Sequence, residues 1–131
     1  MRAYELHENS PESFMNSQIP NKYVKFQGLT VYLRKGLYLI DGERKNAVQL
    51  ANVTNPKRDD NIHIDPSREE TRTGKFLALM SELEKLAKIY EYDGVYVESI
   101  LNDFLPEVLE RYGYSLVNSH AGTINYWKEV S

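Results

Sequence analysis

The chain contains no cysteine, so it can build neither a disulfide framework nor a thiolate metal site, and a cytoplasmic location is the expectation. It has no apolar run of about 18 residues, which leaves no candidate for a membrane-spanning helix. Its first residues, MRAYELHENSPE, lack the basic-then-apolar pattern of a secretory leader. There is no basic excess either. A net charge of −3 argues against a dedicated nucleic-acid binder, which carries a strong positive field. The local basic pairs Arg34-Lys35, Arg44-Lys45 and Lys57-Arg58 fall where turns or strand ends are expected and read as solvated loop charge. His7, His63 and His120 lie far apart and lack metal-ligand spacing. No G-x-S-x-G elbow, no Walker A loop, no internal repeat and no low-complexity tract is present.

What remains is a chain of 131 residues, 41% of them apolar, enough for one domain over 1–131 with a real core. Ten tyrosines stand out, and Tyr32, Tyr38, Tyr96 and Tyr126 fall in strand-like runs. Half-buried sheet packing accounts for them, with a stacking platform for bases as the alternative. Ser10-Pro11-Glu12 marks a helix start, serine capping and proline in the first turn, so a short helix is expected over 11–17. Residues 1–22 then form a short N-terminal helical region. From Tyr23 the apolar period becomes two, predicting strands at Tyr23–Phe26, Leu29–Arg34, Leu37–Ile40 and Val48–Val53, with Asp41-Gly42 as a hairpin turn.

Thr54–Asn61 reads as a loop and Ile62–Asp65 as a short strand broken at Pro66. Phe76, Leu79, Met80, Leu83, Leu86, Ala87 and Tyr90 recur at three- and four-residue steps, giving a helix over Lys75–Tyr90, with Glu84 and Lys88 as an i,i+4 pair on its other side. Asp93-Gly94 turns into a strand at Val95–Ser99. A second helix follows over Phe104–Tyr112, capped by Asp103 and stopped by Gly113, and Tyr114–Val117 and Thr123–Glu129 close the chain as strands. The fold class expected is α+β, a mixed, mostly antiparallel central sheet flanked by helices. The helix between Ile62–Asp65 and Val95–Ser99 predicts that these two strands are adjacent and parallel.

This order of elements, with two local patterns, resembles the GNAT superfamily of N-acetyltransferases over about residues 28–128. The first pattern is the family's strand–loop–helix, V-x-P-x-x-R-G-x-G-x-G. Ile64 takes the valine position, Pro66 the proline and Gly74 the last glycine, while Glu69, Glu70 and Arg72 replace the arginine and the first two glycines. The second is N-x-x-A-x-x-F-Y-E-K-x-G-F, which Asn102, Leu105, Glu110-Arg111 and Gly113-Tyr114 follow without a gap. The resemblance implies an acetyl-CoA-dependent N-acetyltransferase of GNAT-like fold acting on an amine, a small molecule or a protein. It implies a cofactor site at Ile64, Arg68, Arg72, Thr73, Gly74, Lys75 and Asn102, the diphosphate resting on the loop and the helix N-terminus.

The family's usual general-acid tyrosine falls on Leu109, which cannot protonate a thiolate. Tyr112, one turn on, is the substitute acid or else a core-capping tyrosine. Glu98 and His63 are the candidate bases, His63 having a packed or surface role as its other reading. Asn102 touches the cofactor or starts a helix. Pairing through the last strands, with Tyr126-Trp127, would make a homodimer. The alternative function is a catalytically inactive GNAT-like binding or structural module. Compact GNAT-like proteins of this size are encoded by bacteriophages, some as virion components, others to modify DNA or counter host defences.

Overall fold

A computed structural model describes residues 9–54, 74–98, 105–118 and 124–130. The elements are α1 (Pro11–Met15), β1 (Asn21–Phe26), β2 (Leu29–Ile40), β3 (Glu43–Thr54), α2 (Lys75–Ile89), β4 (Gly94–Val97), α3 (Leu105–Arg111), β5 (Ser115–Val117) and β6 (Asn125–Glu129). Six strands form one sheet in the order β1-β2-β3-β4-β6-β5. Every pair is antiparallel except β3 with β4. The molecule is therefore α+β with a mixed, mostly antiparallel sheet. Among the described residues no helix is long and apolar enough to cross a membrane.

The meander β1–β2–β3 follows from its turns. Gln27-Gly28 and Asp41-Gly42 both hold positive φ at the two central residues, 48° and 85°, then 48° and 87°. That backbone matches the right-handed twist of the flanking strands, and glycine takes the second position without Cβ strain. Leu29–Arg34 and Leu37–Ile40 turn out to be one strand. Gly36 is extended at φ 159° and pairs with Ala47, so the Lys35-Gly36 break in the pattern interrupts the side chains but not the ladder.

The parallel partner of β4 is β3, with Val48 opposite Val95 and Leu50 opposite Val97. The other side of β4 is occupied by β6. A four-residue strand with both ladders filled has no place for 62–65 beside it, so that expected pairing is corrected; Ile62–Asp65 itself lies outside the described residues. The crossover from β3 to β4 carries α2, as a parallel pair requires.

Period-two alternation sorts the sheet into two faces. Val24, Val31, Leu33, Val48, Leu50, Val95, Val97 and Tyr126 face all three described helices, which bury Phe14, Phe76, Leu79, Leu83, Leu86, Leu105 and Leu109 against them. Each such leucine or phenylalanine contributes about 2 kcal/mol of burial. Ala47, Tyr96, Val117 and Trp127 lie on the opposite face. α1 is held at both ends. Ser10 and Ser13 cap each other's backbone N–H groups at 3.1 and 3.2 Å. Lys35 reaches up from β2 to donate to the Phe14 and Ser17 carbonyls at 2.6 and 2.5 Å, burial lowering its ammonium pKa.

α2 and α3 end in the same motif. Tyr92 N–H donates to Ala87 O and Glu91 N–H to Lys88 O; Tyr114 N–H donates to Leu109 O and Gly113 N–H to Glu110 O. This six-to-one, five-to-two pair needs a left-handed residue at its centre, Gly113 at φ 93° in one case and Glu91 at φ 62° in the other. Only glycine takes that conformation freely. Glu91→Gly is therefore expected to raise stability by about 1 kcal/mol, read as the midpoint in urea at unchanged slope; an unchanged or lowered midpoint would refute the strain.

Candidate functional site

Two regions gather chemistry-bearing side chains. The first lies between α2 and α3. A pocket of about 170 Å³ is lined by Leu77, Met80, Leu109, Tyr112 and Tyr114, with Glu84 and Lys128 at its polar end. Glu84 uses both oxygens here: Tyr114 Oη donates to one at 2.8 Å and Lys128 Nζ to the other at 3.0 Å. Lys128 also donates to Tyr112 O at 3.0 Å. The expected Glu84–Lys88 pair gives way to this buried arrangement, in which the carboxylate meets a cation and a phenol at once. The polar groups satisfy one another, so the pocket has the structure of a packed joint.

Burial, then the Glu84 charge, raises the Tyr114 phenol far above 10.0. Tyr126, which donates to Glu110 Oε2 at 2.5 Å, is raised to about 12, by burial first and then by Glu110. Both hydroxyls keep in the fold a proton that the unfolded chain releases near pH 10. Stability should accordingly hold up to about pH 10 and fall as pH rises beyond it. Tyr126→Phe should reduce that fall between pH 10 and about 12, as read by denaturant midpoints across the range. A curve unaltered by the substitution would remove Tyr126 as a cause.

The second region is on the opposite face of the sheet, at the carboxyl end of the parallel pair. Register places Arg34, Gln49, Tyr96 and Trp127 in one row across β2, β3, β4 and β6. Glu98 follows the last residue of β4. Gln49 Nε2 donates to Glu98 Oε1 at 2.9 Å, and Tyr96 Oη donates to Glu98 Oε2 at 3.4 Å. The carboxylate is thus aimed by one donor on each oxygen. Tyr96 Oη in turn accepts from Asn118 Nδ2 at 2.9 Å. Asn118 is fixed against the β2–β3 turn, where Asp41 N–H donates to its Oδ1 at 2.8 Å and its own N–H donates to Asp41 Oδ1 at 2.7 Å.

The Tyr38 ring tilts onto Tyr96 at 5.6 Å between centroids, which the small residues Gly36, Ala47 and Gly94 in the adjoining row permit. Both phenols are raised above 10.0 by burial; Arg34 lowers and Glu98 raises Tyr38, which places its hydroxyl in the field of both charges. Gln49 is 1% exposed, and its Oε1 is a buried acceptor with no donor among the described residues. A buried orphan acceptor costs about 1–3 kcal/mol, so it marks a place where a partner group is wanted.

At the start of α2, Gly74 is the N-cap in the left-handed region at φ 86°, with open space where a Cβ would stand. Among the described residues no side chain caps the first turn, and no acidic residue sits in it. Backbone N–H groups at an uncapped helix start suit an anion such as a diphosphate, and the exposed Lys75 adds positive charge there. The described part of the expected cofactor site fits the group.

Among the candidate residues, the structure places Glu98, Tyr112, Gly74 and Lys75; His63, Ile64, Arg68, Arg72, Thr73 and Asn102 lie outside the described residues. Glu98 and Tyr112 are not brought together. Tyr112 is half-exposed at the far end of α3, beside Lys128, whose partner in the sheet is Val95 at the start of β4, whereas Glu98 follows its end. Tyr112→Phe is therefore expected to change turnover by less than about threefold in any acyl-transfer assay, well short of the 10²-fold or more typical of a lost acid. A larger loss in a folded variant would restore it as the acid. Gln49, Tyr38 and Asn118 were not candidates from sequence. Gln49 between Val48 and Leu50 reads as an outward polar residue, and only the pairing with β4 shows it buried beneath Glu98's carboxylate. Comparison of the chain with protein-family models, with curated proteins and with solved structures gives no match.

Proposed function

We propose that the protein is an acetyl-CoA-dependent N-acetyltransferase of GNAT-like type, in which Glu98 is the general base. The observation that carries this reading is the single parallel pair β3–β4, joined through α2, with an oriented carboxylate at its carboxyl end. In mixed sheets ligands collect beyond the carboxyl ends of parallel strands. The crossover helix α2 starts behind a left-handed glycine with no side-chain cap bond among the described residues, the element the resemblance assigns to the diphosphate.

Acetyl-CoA supplies an activated acyl carbon with a thiolate leaving group. The chain's own residues act on the amine. Gln49 and Tyr96 hold the Glu98 carboxylate in place, and Glu98 takes the proton of the attacking nitrogen directly or through one water. The new N–C bond forms as the C–S bond breaks, and the proton ends on the departing sulfur.

Calorimetric titration with acetyl-CoA tests the reading. Saturable binding that weakens when Lys75 is replaced by glutamate is expected; no heat at millimolar ligand would end it. One observation favours the inactive-module alternative. Leu109, where the resemblance places the acid, is 1% exposed in the core and offers no polar atom. Binding of acetyl-CoA without transfer to any of a broad panel of amines would select that alternative.

A further inference from the structure

The face that carries Glu98 holds more polar groups than a base requires. Gln49 Oε1 is buried and without a donor among the described residues. The Tyr38 ring tilts onto Tyr96, and its phenol is acted on by the charges of both Arg34 and Glu98. Arg34 is exposed, its guanidinium 5.2 Å from the centroid of the Tyr32 ring, with no carboxylate beside it among the described residues. By register Arg34 stands directly opposite Gln49. β3 separates Arg34 from β4, whose end carries Glu98, so the two residues stand about 10 Å apart at the backbone.

The arrangement separates two kinds of demand. At the β4 end the available groups are acceptors: the Glu98 carboxylate, already fixed by two donors, and the orphaned Gln49 carbonyl. They call for a group rich in N–H donors. At the β2 end the available group is the exposed Arg34 guanidinium, whose N–H groups suit a carboxylate. The Tyr96 ring, with Tyr38 tilted onto it, stands in the same row as Arg34 and Gln49, and an aliphatic stem packs well on aromatic faces.

We infer that the acceptor is a small zwitterion, an amine that also carries a carboxylate, with its nitrogen on Glu98 and Gln49 Oε1 and its carboxylate on Arg34. This rests on the acyltransferase reading, since it names the class of amine that reading leaves open. It also explains why a buried acceptor is left without a donor: the substrate's ammonium completes it.

The test is calorimetric titration of the full chain, without CoA, by β-alanine, n-propylamine and propionate. β-Alanine should bind at least about tenfold more tightly than either single-charge probe, the scale of one charge-assisted hydrogen bond. Arg34→Gln, a change at an exposed position, should bring β-alanine down to the level of n-propylamine and leave n-propylamine unchanged. Gln49→Leu should weaken both amines. Equal binding of β-alanine and n-propylamine to the wild type, no binding of either, or a preference that survives Arg34→Gln would overturn the inference. A parallel titration with acetyl-CoA keeps the two ideas apart. CoA binding without a preference for β-alanine ends this inference and leaves the acyltransferase reading standing. A clear preference for β-alanine with no affinity for CoA supports the zwitterion site and ends the acyltransferase reading.

Discussion

Gly94→Ala should lower the melting temperature by about 10 °C or more, the largest stability effect expected of any single methyl group in this protein. A Cβ on Gly94 would stand 2.1 Å from Lys128 O and 2.8 Å from Trp127 Cζ2 and Cη2. The first is a backbone oxygen of the paired strand β6, so it can give way only if the β4–β6 ladder opens. The second is the edge of the Trp127 indole, 8% exposed, in the smaller apolar cluster. Overpacking a well-packed site costs about 1–3 kcal/mol and more where backbone must move, against a total stability of about 5–15 kcal/mol for a domain. Trp127→Ala combined with Gly94→Ala should recover only part of the loss, because the carbonyl clash remains. Thermal denaturation followed by circular dichroism reads both; a Gly94→Ala protein that melts within about 2 °C of wild type would show that β4 and β6 are not in this register.

Glu98→Gln should reduce turnover by about 10²-fold or more in an acetyl-transfer assay while leaving the apparent affinity for acetyl-CoA unchanged. The substitution keeps the shape of the side chain, and its amide oxygen still accepts from Gln49 Nε2. It removes only the ability to take a proton. The fold should survive, since Glu98 is only partly buried and sits beyond the end of the strand. Retention of a third or more of the wild-type turnover would dismiss Glu98 as the base, and a matched loss of acetyl-CoA affinity would move its role from proton transfer to binding.

Much of the frame was legible in the sequence because it depends on local rules. The Asp41-Gly42 turn, the apolar stripe of α2 and the Gly113 stop each express a backbone or packing preference carried by neighbouring residues. Glu91 shows the limit of that legibility: it fills a left-handed position with nothing in its identity to announce it. The site was hidden for a different reason. Arg34, Gln49, Tyr96 and Glu98 meet only because β3 lies between β2 and β4 in one register, and a shift by one residue would send Gln49 to the other face. Periodicity fixes which residues share a face of a strand but not which strand lies beside it. The strand–helix–strand order points to 62–65 as the parallel partner of β4, while the strand that fills that place is β3, one element earlier.

The reciprocal bonds between Asp41 and Asn118 bear on the order in which the molecule assembles. Their backbone and side-chain groups close a contact across 77 residues, whereas β1, β2 and β3 are joined by two-residue turns. Short closures form early and long ones late. The meander is thus the element that gains contacts first, and the clasp between the β2–β3 turn and the end of β5 is among the last to form. Amide hydrogen exchange at Asp41 and Asn118, compared with that at Val31 and Leu33, would report the docking of the C-terminal strands as a separate event. The aim of Tyr96 on Glu98 depends on the same clasp, so the second of the carboxylate's two donors is fixed only among the last steps of folding.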